Sequence, residues 1–482
     1  MKKTWKIIYV VLTVAVMALP FAGMTFFKTD TTTENKRMAE MPEIEQDGQL
    51  NREYLSELGT YFNDHFAFRN YLVDADSRIQ SGVFGESNVD TVLVGTDGWL
   101  YYTATLDNYL GQNRMSDRTI NNCVHNMKLL QDYVESQGAK FVLAVPPNKN
   151  SLYGENMPYY DSYKVSDGSD MDVIAGKLVE AGVNYVDLYA VMSEQKDTIY
   201  QKRDSHWNNM GALLAYNDIL DVAGIDHDTY ETARFTRRKD YIGDLNSMIY
   251  PVSSQPEWDM YLDDSTWTYT YTTDTKSVED LKIETSCDAG EGSLVMYRDS
   301  FGNTLLPYMA NAFGSAYFSK NIPYNITSDM MADKPDVVVV EKVERNIKEF
   351  ASDPAVFQGP QPDAGIVSEL DKLGTDGNTA TVTAQEAESN VNFWQIDGVV
   401  DSDKISDDTV IYVAVTDGGE TRYYEAFGIT DEKTDCGYRL YLDKMSVKYS
   451  DIIVAVYTSD DNGQLCVASV NVDLTAIETL NP

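Results

Sequence analysis

Three short segments, 140–145, 293–297 and 335–340, are apolar at almost every position. A strand with one wet face alternates, so a strand apolar on both faces must be covered on both. Between these segments lie helical patterns over 119–137, 171–181, 209–222 and 304–312, and a short strand over 184–188. Strands of this kind alternating with helices predict an α/β fold, a parallel sheet with helices on both sides. Ahead of it, a helix opens near Arg52 with Leu55, Leu58, Phe62 and Phe66 on one face, and Val92-Leu93-Val94, Gly95-Thr96-Asp97-Gly98 and Trp99-Leu100-Tyr101-Tyr102 read as strand, turn, strand.

After Ala351 the texture changes. Pro354, Pro360 and Pro362 mark a linker over 351–378. Seven alternating strands follow, over 379–383, 391–396, 409–415, 421–427, 438–442, 452–458 and 465–472. That spacing predicts an all-β sandwich over 379–482. Trp394, Tyr412, Tyr423, Tyr424, Tyr438 and Tyr441 lie among these strands. Such rings either stack on sugars, which would make the region carbohydrate-binding, or fill a core. The 33 tyrosines of the chain weaken the first reading.

The N-terminus sets the compartment. Lys2, Lys3 and Lys6 precede an uncharged apolar run from Ile7 to Phe27, long enough to span a bilayer. Lysines on that side keep it cytoplasmic and place the remainder outside the cell. An uncleaved anchor over 1–28 is favoured over a cleaved signal peptide, because the run is long and no small-x-small site stands out near Ala22. The expected order is then anchor, linker over 29–50, a domain over 51–350, linker, and sandwich. With 38 Lys and Arg against 76 Asp and Glu, the net charge is −38, which repels nucleic acid. Cys436 and Cys466 share the C-terminal region and could pair there, and no Cys/His cluster suggests a metal or cofactor.

Four histidines can be weighed singly. His125, in a helix, and His227, in an acidic turn, read as surface groups, and His65 as a helix-packing or polar-network one. His206 stands in Arg203-Asp204-Ser205-His206-Trp207-Asn208-Asn209, where Asp204, two residues away, points to the same side. A general base needs such a carboxylate to fix its tautomer, while a His-Trp pair can equally pack at a helix start capped by Asn208 or Asn209. In Tyr297-Arg298-Asp299-Ser300-Phe301-Gly302-Asn303, an apolar strand ends at a serine and a helix follows. That turn exposes a hydroxyl and aims helix-opening N–H groups at an oxyanion, although Asp-Ser before a helix is also a common cap.

Together these motifs resemble the DHHW family and the related AlgX/AlgJ-like group of SGNH-fold polysaccharide O-acetyltransferases. The resemblance also rests on Gly95-Thr96-Asp97-Gly98-Trp99-Leu100-Tyr101, Val145-Pro146-Pro147-Asn148-Lys149, Gly243-Asp244-Leu245 and Asp299-Ser300-Phe301-Gly302. Ser205 departs from the His of the family name at a position with no catalytic part. The resemblance implies an SGNH-like domain with a Ser300–His206–Asp204 triad that passes an acetyl group to a cell-wall or exopolysaccharide hydroxyl. It also implies a membrane-bound O-acyltransferase as acetyl donor. Oxyanion or substrate contacts fall to the Ser300 N–H, Arg298, Asn303, Asn148 and Trp207, with Lys149 and Arg69 as structural or acceptor contacts. An esterase would use the same triad, and a non-catalytic glycan-binding or scaffold protein would keep the same fold.

Overall fold

The computed structural model describes residues 3–24, 26–27, 38–46, 48–166, 168–374, 377–461 and 463–477. Part of the first expected linker, residues 29–37 and 47, lies outside the described residues. Helix α1 (Lys3–Gly23) is long and apolar enough to cross a membrane. Its C-terminal end meets the elbow between α2 (Tyr54–His65) and α3 (Arg69–Ile79). There the Ala67 N–H donates to the Pro20 carbonyl at 3.1 Å, and the Phe21 and Phe62 rings lie 5.5 Å apart. Phe62 on the apolar face of α2 therefore meets the N-terminal helix, while Leu55 at its start is exposed.

The central sheet has seven strands. In chain order they are β1 (Lys140–Ala144), β2 (Tyr185–Val186), then, after a separate hairpin of β3 (Phe235–Tyr241) and β4 (Glu257–Leu262), β5 (Thr270–Tyr271), β6 (Lys282–Ser286), β7 (Ser293–Tyr297), β8 (Ser315–Ser319) and β9 (Val337–Glu341). Their spatial order is β2-β1-β9-β7-β8-β6-β5. The expected parallel sheet is in fact mixed: the first five run parallel, while β6 pairs antiparallel with β8 and β5 antiparallel with β6. The cause is legible in β6, Lys282-Ile283-Glu284-Thr285-Ser286, which buries only Ile283 and Thr285 and so behaves as a half-wet strand near the edge.

The all-apolar strands divide their side chains between two cores. Phe141, Leu143, Val295, Val338 and Val340 pack with Ile120, Met127 and Leu130 of α4 (Asp117–Ser136). Val142, Met296 and Val339 pack on the other side with Tyr216 and Ile219 of α5 (Asn209–Ala223) and with Leu305 and Met309 of α6 (Gly302–Ala312).

The β-rich C-terminal region holds two four-stranded antiparallel sheets. One comprises β10 (Thr383–Glu386), β11 (Phe393–Val399), β14 (Phe427–Ile429) and β15 (Gly437–Asp443). The other comprises β12 (Val410–Asp417), β13 (Glu420–Glu425), β16 (Asp451–Asp460) and β17 (Gly463–Asp473). The single strand expected over 421–427 is two, because the chain changes sheets at buried Ala426. Phe393, Phe427 and Tyr441 join the same cluster as Val338 and Val340, so the first of these sheets shares a core with the central sheet, while the second packs on the first through Ile396, Leu440, Val413 and Val456. Asn126 of α4 bonds both the N–H and the carbonyl of Gly428 across this contact.

Packing here and elsewhere corrects several readings. His125 is not a surface group: its Nε2 lies 3.1 Å from the Ala426 carbonyl, and burial pushes its pKa down to about 4. His227 is likewise held, between the Ile225 carbonyl and Asn217 Oδ1. Tyr412, Tyr423, Tyr424, Tyr438 and Tyr441 are buried, and Lys444 covers the Trp394 ring at 4.3 Å, so these rings fill the interior and do not offer faces to a sugar. Cys436 and Cys466 form no disulfide with each other; both are buried, one leading into β15 and the other on β17 of the opposite sheet.

Candidate active site

β7 ends at Tyr297 and α6 opens at Gly302, which leaves Ser300 on the turn between them. A side chain at Gly302 could not be accommodated, since a Cβ there would lie 2.7 Å from Arg298 Cβ and 2.9 Å from Glu341 Oε2. Asp299 pins the turn from below. Its Oδ1 accepts from the Phe301 N–H and its Oδ2 from the Val343 N–H, each at 2.9 Å.

The second limb is the loop before α5. Asn208 caps this helix, its Oδ1 accepting from the N–H groups of Met210 and Gly211. Trp207 is buried beneath the serine turn, with Nε1 donating to the Phe301 carbonyl at 3.2 Å. The ring of His206 thereby meets the hydroxyl: Nε2 lies 2.8 Å from Ser300 Oγ, and Nδ1 lies 2.6 Å from Asp204 Oδ1. Both readings of the His-Trp pair hold at once, since the tryptophan packs while the histidine faces the serine.

Asp204 is almost fully buried, and all of its acceptor capacity is directed. Oδ1 takes His206, through Nδ1 and the backbone N–H, while Oδ2 takes the Tyr241 hydroxyl at 2.9 Å and the Asp244 N–H at 2.8 Å. Burial alone would raise the pKa of this carboxyl, but the charge and hydrogen bonds of His206 outweigh it and hold the group well below the ordinary range. Burial likewise opposes protonation of His206, and the charge of and bond to Asp204, helped by Asp244, overcome it and raise its pKa. Asp244 accepts from the N–H and Oγ of Ser205 at 2.8 and 2.6 Å, with its Oδ2 3.9 Å from His206 Nδ1. Gly243 permits this approach, because a Cβ there would lie 2.3 Å from the Arg203 carbonyl oxygen.

Lys149 ties the sequence motifs together. Its buried Nζ donates to the carbonyls of Gln201, Lys202 and Asp204, and lies 5.6 and 5.0 Å from the ring centroids of Trp99 and Tyr101. Burial outweighs the nearby charges of Asp204, Asp244 and Glu257 and pushes this ammonium down to about 8. It is thus a scaffold for the Asp204 loop. Neither its role nor that of Tyr241 was legible locally. Gly243-Asp244-Leu245 was a visible motif, but nothing near it in sequence pointed to Asp204.

A cavity of about 540 Å³ opens over this group, lined by Asp204, His206, Ser300, Trp207, Asn303 and Tyr241 among others. Asp259, in its wall, is pushed up to about 6 by burial. Of the remaining expected contacts, Arg298 stands behind the cavity. Its Nη1 donates to Asn303 Oδ1 and its Nη2 to the Val278 carbonyl, while Asn303 Nδ2 donates to Glu279 Oε1. Asn148 does not line the cavity; its N–H donates to Glu344 Oε2 at 2.8 Å, and its side-chain amide has no partner among the described residues. Arg69 sits at the α2–α3 elbow, donating to the Asn63 carbonyl. Asp204, His206 and Asp244 offer the metal-ligand type of grouping found among the described residues. Both ring nitrogens of His206 are already engaged there, by Asp204 and by Ser300, an arrangement suited to moving a proton.

Residues 92–286 match a family model described as the SGNH hydrolase-like domain of the acetyltransferase AlgX. Over this segment the chain is similar to AlgX and AlgJ. The matched segment contains Asp204 and His206 and ends before Ser300. A probable alginate O-acetylase AlgJ of Pseudomonas syringae pv. tomato is 28% identical over 173 residues, 34% of this chain and 41% of the relative. The chain thus spans less than half the length of this curated relative. Among solved structures, Bacillus cereus PatB1 is 16% identical with a TM-score of 0.43, over 54% of this chain and 98% of that one. A DHHW family protein from Eubacterium siraeum is 18% identical with a TM-score of 0.41, over 54% and 93%.

Proposed function

We propose that this chain is an extracytoplasmic O-acetyltransferase, anchored by uncleaved α1, that moves an acetyl group through an acetyl-serine onto a polysaccharide hydroxyl. The observation that carries the reading is the line of contacts from Ser300 Oγ to His206 Nε2 at 2.8 Å and from His206 Nδ1 to Asp204 Oδ1 at 2.6 Å, opening on one cavity.

In the first half-reaction Ser300 Oγ attacks the carbonyl carbon of an acetyl ester while His206 Nε2 takes its proton. The tetrahedral intermediate places its charge on the former carbonyl oxygen. The Ser300 N–H and Asn303 are the donors proposed for it, with Arg298 positioning Asn303. The intermediate collapses by breaking the bond to the donor alcohol, which leaves with the proton from His206. In the second half-reaction a sugar hydroxyl attacks the acetyl-serine and gives its proton to His206. Collapse releases the acetylated sugar and returns the proton to Ser300. Asp204 stays ionised throughout and stabilises the imidazolium formed in each half. The acetyl donor is proposed to be delivered by a membrane-bound O-acyltransferase, and the C-terminal sheets to form a sandwich that braces the central domain.

The test incubates the full-length chain in detergent with an activated acetyl ester and examines Ser300 by peptide mass spectrometry. Acetyl on Ser300, absent in Ser300→Ala and His206→Ala, is the expected result. Turnover to acetate with no transfer to any glycan would make the chain an esterase, and no modification of Ser300 at all would leave a glycan-binding scaffold.

A further inference from the structure

Helix α3 is amphipathic in the reverse of the usual sense. Asp74, Ser77, Arg78 and Ser81 form one stripe of α3 and of the π-helical turn Gln80–Phe84 that continues it. This polar stripe faces the protein. Asp74 accepts from the N–H groups of Val252 and Ser253 at 3.2 and 2.8 Å, Arg78 donates to Ser253 Oγ and stacks on Tyr250, and Ser81 Oγ lies 2.7 Å from the Tyr250 hydroxyl.

The opposite stripe holds Phe68, Tyr71, Leu72, Ala75, Ile79 and Val83, at i, i+3, i+4, i+7, i+11 and i+15. It faces outward: Tyr71 is 64% exposed, Leu72 52%, Ile79 55% and Val83 71%. A soluble helix turns such a stripe to its core, so an outward one calls for an apolar covering.

The start of this stripe is where α1 ends. Phe68 meets Phe27 with ring centroids 4.9 Å apart, beside the bond from Ala67 to Pro20. The end of a membrane-spanning helix lies at the bilayer surface, so the first turn of α3 is held there. We infer that α3 lies in the headgroup–acyl boundary of the membrane, its apolar stripe inserted among phospholipids and its polar stripe carrying the catalytic domain. The inference rests on the reading of α1 as an uncleaved anchor.

This contact reaches the triad in few steps. Tyr250 and Ser253, which receive α3, directly follow the short helix Asp244–Ile249, whose first residue donates to Asp204. The membrane would thus hold the protein by two connected elements, a span across the bilayer and a helix along its surface.

The test uses the full-length chain in phosphatidylcholine vesicles. Single cysteines are introduced as Leu72→Cys, Ile79→Cys and Val83→Cys, and labelled with an environment-sensitive fluorophore. The four native cysteines are buried and escape labelling in the folded protein. Val14→Cys, within α1, and Lys239→Cys, exposed on β3, serve as references. Lipids bearing a nitroxide near the headgroup should remove most of the emission from positions 72, 79 and 83 and leave position 239 unchanged. Intact mass reports whether residue 1 is retained, and nitroxides deep in the bilayer report on position 14. If position 14 is quenched and positions 72, 79 and 83 match position 239, the inference is overturned while the anchor stands. If the N-terminus is missing, quenching at 72, 79 and 83 still upholds the surface contact, and its absence overturns it together with the anchor. Labels shielded from water but not quenched by lipid would assign the stripe to a protein partner, which also overturns it.

Discussion

Around Ser300 the most deeply buried polar groups include Asp204, Arg298 and Glu341, whereas in the C-terminal sheets the groups buried to the same degree include Tyr438, Leu440, Tyr441 and Leu442. An ionised group in a protein interior costs several kcal/mol unless neighbours bond it well. The bonds around Asp204 meet that cost with four directed contacts, and they serve position: each holds the carboxylate or the ring in one geometry. Rings buried in the C-terminal region stabilise through area and shape and direct no chemistry. The difference teaches that the two regions should respond to mutation on separate axes, activity for one and stability for the other.

Ser300→Ala should separate them most widely. Acetyl transfer should fall by about 10⁶-fold while the melting temperature stays near that of the wild type, as read by product analysis and thermal scanning. A loss of stability comparable to a core mutation would break the comparison. Asp204→Asn should cost about 10⁴-fold in rate, because it disturbs the tautomer and orientation of His206.

On the other axis, Phe427→Ala removes a ring at 0% exposure packed edge-on against Phe357. It should destabilise the fold by about 3–5 kcal/mol in denaturant titration and leave the rate per folded molecule unchanged. Calorimetry of the wild type should show the C-terminal sheets melting together with the central sheet, since the first shares a cluster with the central sheet and the second shares one with the first. Two well-separated transitions would contradict that shared core.

Two smaller effects concern protons. His206 acts only when neutral, so activity should rise as pH passes through its raised pKa. Asp244 is one cause of that rise, and Asp244→Asn should move the acid limb of the rate profile to lower pH. Glu341 is fully buried, and burial together with the neighbouring Asp299 raises its pKa well above the usual range. At pH below the unfolded value both states hold the proton and nothing is lost. As pH rises the unfolded chain ionises while the folded one retains its proton, so stability falls with pH. Glu341→Gln should therefore raise the melting temperature at pH 8 and leave it unchanged at pH 4. A stabilisation that persists at pH 4 would show that ionisation is not the cause.

How far each region was legible follows the range of its causes. The all-apolar runs at β1, β7 and β9 announced buried strands because a strand's burial is written in its own residues. The antiparallel edge was not read: β5 has two residues and leaves almost no pattern, and the alternation in β6 marks a half-wet strand without marking its direction. Ser300, His206 and Asp204 were visible because each sits in a local motif, two of them two residues apart. Tyr241 and Lys149 were not read as partners of that loop, because their contacts come from elsewhere in the chain. The C-terminal tyrosines showed only their strand propensity, which is the same whether a ring faces a sugar or the protein interior.

Sequence by itself determined the apolar N-terminal helix, the strand-and-helix alternation, the acidic surface and the residue types available for a triad. These follow from composition and short-range periodicity, which each segment carries alone. Tertiary structure decided which side of α3 meets the protein, which carboxylate oxygen meets His206 and which rings become core. Each of those depends on groups far apart in the chain arriving within a few ångströms, where close packing and hydrogen-bond direction admit one arrangement.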